Sequence, residues 1–335
     1  MTTARRVTIR DVADQAGVSV ATVSKVINER YGVSSATSAR VQGVIDELGY
    51  ESSLVARSLR NHRTNVVGVL VSDIEPFSAE LIKGAARALR GTGYELIVYS
   101  AGGRSPDRVG WEKRALSRLG GTLIDGALLV TPTVVGPSFG APVVAVDPHT
   151  GSDEVPTVDA DNRRGAQLAT QHLLDLGHRR IGFVGGRVDL ESARLRALGY
   201  TETMQRAGLE VDPDLVRVGS YDAGESRAAA AELLSLPDPP TALFAANDLS
   251  AIAVMEEAAT RGLTVPDDLS VVGFDDVPES AMVKPGLTTV HQPIQEMGER
   301  AVHVLVGLLA GRAPDAMHET LATHLVERRS CAPLR

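Results

Sequence analysis

Gly136-Pro137-Ser138-Phe139-Gly140 places a serine in G-x-S-x-G spacing. That pattern can lift a nucleophilic serine on a sharp turn and carry out acyl transfer, provided a strand precedes it and a helix follows at once. Here Ala141-Pro142-Val143-Val144-Ala145-Val146 follows and reads as the beginning of a strand, so the elbow has no helix to turn into. The eight histidines are scattered, with neither HExxH nor paired spacing, and Gly185-Gly186 lacks the remainder of a phosphate loop. A single cysteine, Cys331, excludes an intramolecular disulfide framework and a cysteine zinc site, and suits a reducing compartment. Catalysis, metal and cofactor are therefore not expected.

A different chemistry is available near the N-terminus, where Val20, Ala21, Thr22, Ser24, Lys25 and Asn28 could read a DNA duplex. Small apolar Val20 and Ala21 suit thymine methyl groups; Thr22, Ser24 and Asn28 can donate to phosphates or bases; Lys25 supplies a point charge or reaches a guanine edge. The elements that would position them are three short helices. Ile9, Val12, Ala13 and Ala16 fall at i, i+3, i+4, i+7, with Thr8 as N-cap and Gly17 as the stop. Ser19 caps a second helix with Val23, Val26 and Ile27 inward, and a third runs from about Ala36 to Leu48 before Gly49. Two helices so closely joined make a helix-turn-helix, whose second helix enters the major groove.

The net charge of −8, from 34 Lys+Arg and 42 Asp+Glu, speaks against a protein that coats nucleic acid by bulk charge. Charge is unevenly spread, however. Residues 1–65 hold nine basic and six acidic side chains, a net of +3, which leaves −11 on the remainder. A basic reader on an acidic body is the asymmetry expected when one end meets a polyanion. The length of 335 residues suggests about two domains at roughly 150 residues each. No apolar run approaches the ~18 residues of a membrane span, and the basic N-terminus has no apolar signal region behind it, so a cytoplasmic location is expected.

The body alternates short apolar runs with helical stretches. Strands are expected at 66–71, 95–99, 126–130, 143–146, 181–184, 216–218, 242–245 and 270–274, with helices at 78–90, 111–119, up to 176, 192–207, 224–234 and 249–261. Such alternation implies an α/β fold with parallel sheets covered on both faces, and the pattern restarts after Asp161-Asn162, giving two lobes and a cleft. Ligands in such sheets bind at the carboxyl ends of strands. Asp275 and Asp276 end one strand, Asn247 and Asp248 another, and Asp147 a third. Carboxylates and an amide at a cleft mouth can hold vicinal hydroxyls; Asp248 and Asp276 read rather as capping and turn residues.

Thr8-Ile9-Arg10-Asp11-Val12-Ala13, Ala16-Gly17-Val18-Ser19, Thr22-Val23-Ser24, Asn28 and Leu48-Gly49-Tyr50 resemble the DNA-binding head of the LacI/GalR transcription regulators, and the resemblance continues across essentially the whole chain. It implies a small three-helix head, a hinge helix, and a two-lobed body like that of periplasmic binding proteins. By this resemblance residues 54–60 form the hinge helix in the minor groove, with Leu59 as the wedge between base pairs, Arg57 and Arg60 beside it, and Ala56 on the same segment. Ser52-Ser53 stands where members usually carry Pro-Asn, and Ser38 where an arginine is common. The DNA-contacting set implied is Thr8, Ser19, Val20, Ala21, Thr22, Ser24, Lys25, Asn28, Tyr50, Ala56, Arg57 and Leu59. The effector set is Phe77, Asp147, Arg196, Tyr221, Asn247 and Asp275, with Glu75 beside Phe77.

The expected divisions are 1–50 for the head, 51–63 for the hinge, and 64–335 for the effector and dimerisation body. Within the body, lobe 1 is expected at about 64–161 plus 278–293 and lobe 2 at about 162–277 plus 294–330. The expected function is a ligand-responsive repressor, a homodimer on a pseudo-palindromic double-stranded operator, released by a small-molecule effector. No leucine heptad follows the body, so a dimer rather than a tetramer is expected. A carbohydrate is the expected effector; the alternatives are a purine, whose branch tends to carry a second arginine near Leu190 that is absent here, and a solute-binding receptor of the same body fold with no DNA role.

Overall fold

The computed structural model describes residues 7–27, 31–50, 63–102, 110–133, 140–149 and 155–334. The chain divides into two compact units, Met1–Thr64 and Asn65–Arg335. Asn28, Ala56, Arg57 and Leu59, with the rest of the expected hinge helix at 54–60 and Ser138, lie outside the described residues.

The first unit holds helices α1 (Ile9–Ala16), α2 (Val20–Ile27) and α3 (Ser35–Leu48). Thr8 opens α1 in a reciprocal cap: its backbone N–H donates to Asp11 Oδ2 at 2.7 Å and its hydroxyl accepts from Asp11 N at 3.4 Å. Gly17 ends α1 in the left-handed region at φ 63°, which turns the chain directly toward α2. Ser19 then accepts from Thr22 N at 3.2 Å. Val12, Ala13, Ala16, Val23, Val41 and Val44 form one small core, with Ile9, Val26, Ile27, Ile45 and Leu48 packed against it.

The second unit is built on two six-stranded sheets. Sheet 1 has the order β11-β5-β4-β3-β1-β2, from strands β1 (Val66–Val71), β2 (Glu95–Ser100), β3 (Gly126–Val130), β4 (Val143–Val146), β5 (Thr157–Ala160) and β11 (His318–Leu321). Sheet 2 has the order β12-β10-β9-β8-β6-β7, from β6 (Ile181–Gly185), β7 (Val216–Val218), β8 (Ala242–Ala245), β9 (Ser270–Asp275), β10 (Thr288–His291) and β12 (His324–Val326). Pairing is parallel except between β10 and β12. Central strands such as β1, β3 and β4 are buried at every residue, as a parallel sheet covered on both faces requires. Helices α4 (Pro76–Ala88) and α11 (Ile294–Leu309) supply Leu81, Ala85, Met297, Ala301 and Leu305 to the core of lobe 1, where α5 (Trp111–Leu119) also lies, and the short α10 (Pro278–Met282) follows β9. In lobe 2, α6 (Asn162–Asp175) and α7 (Glu191–Arg206) cover one face, around Phe183, Tyr200 and Phe244. The opposite face is covered by α8 (Ala223–Leu234) and α9 (Asp248–Thr260).

Residues 278–293 and 294–321 are distributed the other way round from expectation, while β12 lies in lobe 2 as expected. β10 lies beside β9 in sheet 2, with Thr288 opposite Val272 and His291 opposite Asp275, so residues 278–293 do not join lobe 1. Ile294–Leu309 instead packs its buried face into the lobe 1 core, and β11 extends sheet 1 through pairing with β5. The chain therefore crosses between lobes three times: after β5, between β10 and α11, and between β11 and β12. Thr157, Asp159, Thr288, Thr289, His318 and Glu319 fill much of β5, β10 and β11, and these polar strands lack the apolar run from which the other strands are legible. No helix among the described residues is long and apolar enough to cross a membrane.

Helices α4 and α11 meet backbone to backbone. A Cβ on Gly84 would lie 1.9 Å from Gln295 O, and one on Gly298 2.4 Å from Leu81 O. Gly84→Ala should force the helices apart and lower stability by about 1–3 kcal/mol in urea unfolding. An unchanged unfolding midpoint would show that this contact is not close-packed.

Candidate functional site

Strand ends of both lobes converge on a cleft of about 690 Å³, counted out to its open mouth. Its walls include all six residues expected to meet an effector: Phe77 and Asp147 from lobe 1, and Arg196, Tyr221, Asn247 and Asp275 from lobe 2. Five lining residues sit at positive φ: Thr131 (45°), Asp147 (48°), Ser220 (53°), Tyr221 (59°) and Asp275 (116°). Each is at or just beyond the end of a strand, where the chain must turn sharply to present its side chain or backbone to the cleft. Strain of this kind, of order 1–3 kcal/mol per residue, persists where the surroundings fix it, and it gathers at ligand sites.

Arg196, on the inward face of α7, is the centre of the polar network and only 3% exposed. Its Nε donates to Asn162 Oδ1 at 2.8 Å, and Nη1 donates to Ala246 O at 2.5 Å and Asp275 Oδ1 at 3.3 Å. Nη2 donates to Gln292 Oε1 at 3.4 Å, and Gln292 Nε2 donates in turn to Asp275 Oδ1 at 3.3 Å. The guanidinium lies 3.7 Å from the Phe274 ring centre and 5.6 Å from that of Tyr221. Burial pushes Asp275 up to about 7, with Arg196 opposing the rise and Asp147 and Glu75 adding to it. Asp147 is likewise raised, chiefly by burial and against the pull of Arg196. Tyr221, at the end of the β7 turn, is pushed up to about 12 by burial.

Asn247 caps α9, accepting from Ser250 N at 2.9 Å, which leaves its Nδ2 as the group it can offer a ligand. Asp248 is not on the cleft wall: it accepts from Val277 N at 2.9 Å and from the Thr289 hydroxyl at 2.5 Å, fastening β9 to β10. Asp276 is held by Arg328 Nη2 at 2.5 Å and His291 Nδ1 at 2.9 Å. Ser192, Thr131 and Ser220 also line the cleft and were not singled out, because hydroxyl residues outside a strand-end motif carry no distinctive spacing. Arg187, three residues before Leu190, also lines the cleft and forms a two-pronged pair with Asp189, at 3.1 and 2.6 Å. Asp189 Oδ2 also lies 3.3 Å from His149 Nδ1, joining lobe 2 to lobe 1. Burial holds His149 down at about 4, so it is neutral at pH 7.

In the first unit, Ser19, Val20, Ala21 and Lys25 are exposed and Ser24 half-buried. Successive residues turn by about 100° on a helix, which puts Val20, Ala21, Ser24 and Lys25 on the side of α2 opposite Val23, Val26 and Ile27. Thr22 flanks that side, its hydroxyl 2.9 Å from that of Ser19. Thr8 is exposed at the start of α1, whereas Tyr50 packs half-buried against the core.

Comparison with known proteins assigns both units. Residues 8–53 match the family profile described as bacterial regulatory proteins, lacI family, and residues 170–331 match a periplasmic binding protein-like domain. The chain is 36% identical to the ribose operon repressor of Escherichia coli K12 over 333 residues, covering 96% of this chain and 99% of that one. It is similar to the solved transcriptional regulator CelR–cellobiose complex, with 36% identity, TM-score 0.72, and 97% and 100% of the two chains covered. It is also similar to the lac repressor dimer bound to operator and the anti-inducer ONPF, with 28% identity, TM-score 0.82, and 98% and 100% covered.

The cleft carboxylates make stability pH-dependent. With Asp275 raised to about 7, the native body keeps a proton that an unfolded chain, titrating near 3.9, has released. Its contribution is fully present below the unfolded value and is lost as pH rises through about 7. Asp275→Asn should therefore gain stability relative to wild type as pH rises from about 4 to about 7. A difference that stays flat across that range in urea unfolding would place the proton elsewhere.

Proposed function

Since the chain belongs to the LacI family of bacterial regulatory proteins, and is thereby a ligand-responsive DNA-binding transcription regulator, we propose that it is a homodimeric repressor released from its operator by a small carbohydrate. The observation that carries this reading is the convergence of Asp147, Asp275, Asn247 and Arg196 with the rings of Phe77 and Tyr221 on one cleft. Paired acceptors and donors suit vicinal hydroxyls, and the aromatic faces suit the C–H faces of a sugar ring. The ribose operon repressor and the CelR–cellobiose complex, both 36% identical to this chain, support the same class.

The DNA side of the proposal rests on α2. Its exposed Val20, Ala21 and Lys25 and half-buried Ser24, with Ser19 and Thr22 at its start, would meet base edges and phosphates in a major groove. In a two-fold dimer, two such helices read two half-sites, as the likeness to the lac repressor dimer on its operator supports. Asn28 would extend the α2 contacts. Leu59 would wedge between base pairs, with Ala56 and Arg57 beside it, and the unstacking energy would be offset by the fuller wrapping of a kinked duplex.

Effector response follows from where Arg196 is tied. Asn162 directly follows the first crossing between lobes and Gln292 lies in the second, and both accept from Arg196. A ligand that engages Arg196 and Asp275 therefore acts on groups fixed to the crossings, and shifts the population toward one lobe arrangement. Reciprocity requires operator to weaken effector binding by the same factor that effector weakens operator binding.

Two measurements test this. Arg196→Ala should leave gel-shift affinity for the operator nearly intact and abolish release by the sugar; a normal dose response would remove Arg196 from the effector site. Leu59→Ala should reduce operator affinity much more than affinity for random duplex, and equal losses would refute the wedge.

A further inference from the structure

The carboxyl ends of parallel strands, with helices beginning just beyond them, are ordinarily a place for anions: unpaired N–H groups and the helix dipole favour negative charge. In this cleft acidic side chains stand at those helix starts and oppose a further anion. Four helices begin at or beside the wall, and each carries its own carboxylate at the start. Glu75 stands at the N-cap of α4, Glu191 at the first residue of α7, and Asp248 at the first residue of α9. Asp222 caps α8, accepting from Gly224 N at 2.8 Å and Glu225 N at 3.0 Å.

The two arginines on the wall are committed in the same way. Arg187 is held through two nitrogens by Asp189. Arg196 donates to Asn162, Ala246, Asp275 and Gln292, leaving one of the five N–H groups of a guanidinium. Facing an incoming ligand are the carboxylates Glu75, Asp147 and Asp275, the last two nearly fully buried. The rise of Asp275 to about 7, caused first by burial and increased by Asp147 and Glu75, records how unwelcome further negative charge is there.

We propose that the cleft selects uncharged ligands: it takes a free sugar and rejects the phosphate ester of the same sugar. The inference rests on the carbohydrate reading above and narrows it. A phosphate brought into this wall would meet Glu75, Asp147 and Asp275, with Arg187 already paired to Asp189 and four of the Arg196 N–H groups engaged, so that like charges are brought together.

The test is calorimetric titration of the full-length protein with matched pairs: ribose and ribose 5-phosphate, glucose and glucose 6-phosphate, cellobiose and its 6-phosphate, with hypoxanthine and guanine as a separate arm. Free sugar should bind, with its ester about 100-fold weaker or worse. Glu75→Gln should narrow that gap by about tenfold, since one opposing charge is gone. An ester that binds as tightly as its parent sugar overturns the proposal and leaves the carbohydrate reading standing. Binding of a neutral purine with no sugar binding sinks the carbohydrate reading and supports selection for uncharged ligands. Silence from every arm overturns both.

Discussion

A guanidinium removed from water must have acceptors placed around it before the chain can fold. An uncompensated buried charge is far more expensive than a buried pair is favourable. Arg196 sets that constraint here. Its acceptors come from the start of α6, the end of β8, the end of β9 and the segment after β10. Four separate parts of the chain must be in register for the charge to be satisfied, so the network specifies the arrangement of lobe 2 more than it stabilises it. The Phe274 ring at 3.7 Å closes the remaining face with a cation–π contact.

The same network explains why strain gathers at the cleft. Side chains at the ends of buried parallel strands alternate between the two covered faces, and neither face is the cleft. To aim Asp147, Tyr221 or Asp275 past the sheet edge, the backbone must leave the extended region, and each of these residues does so at positive φ. Stability surrendered there is supplied by the hydrophobic layers on either side, where Phe183 and Tyr200 stack at 5.1 Å and α4 meets α11 without intervening side chains.

Much of this was legible in the residues. The three head helices follow from their apolar stripes and from Gly17 and Gly49, both at positive φ as helix stops require. The central strands follow from continuous apolar runs such as Val66–Val71. The six effector candidates fall on one cleft because strand ends, rather than conformational detail, decide which residues reach it. What was not legible is long-range. Nothing in Thr288–His291 or His318–Leu321 says which sheet they join; that depends on whether the following segment covers lobe 1 or lobe 2, a matter of tertiary packing. Arg187 belongs to no strand-end motif in the sequence, and only the fold puts it on the wall.

The three crossings between lobes give the Arg196 network its reach. Had Ile294–Leu309 belonged to lobe 2, Gln292 would lie inside one rigid body, and its bond to Arg196 would be merely structural. Because that helix packs into lobe 1 while β10 stays in sheet 2, Gln292 sits where the chain leaves one lobe for the other. Asn162 occupies the corresponding place after β5, its Nδ2 donating to Ala160 O at 3.1 Å and its Oδ1 accepting from Arg196. With four N–H groups of Arg196 already engaged, a ligand can approach the guanidinium only through the remaining one or by displacing an existing acceptor. Displacing Gln292 or Asn162 loosens a crossing, whereas using the free position leaves both in place. Two ligands of similar affinity can therefore differ in their effect on the crossings, according to whether each replaces an acceptor or uses the free position.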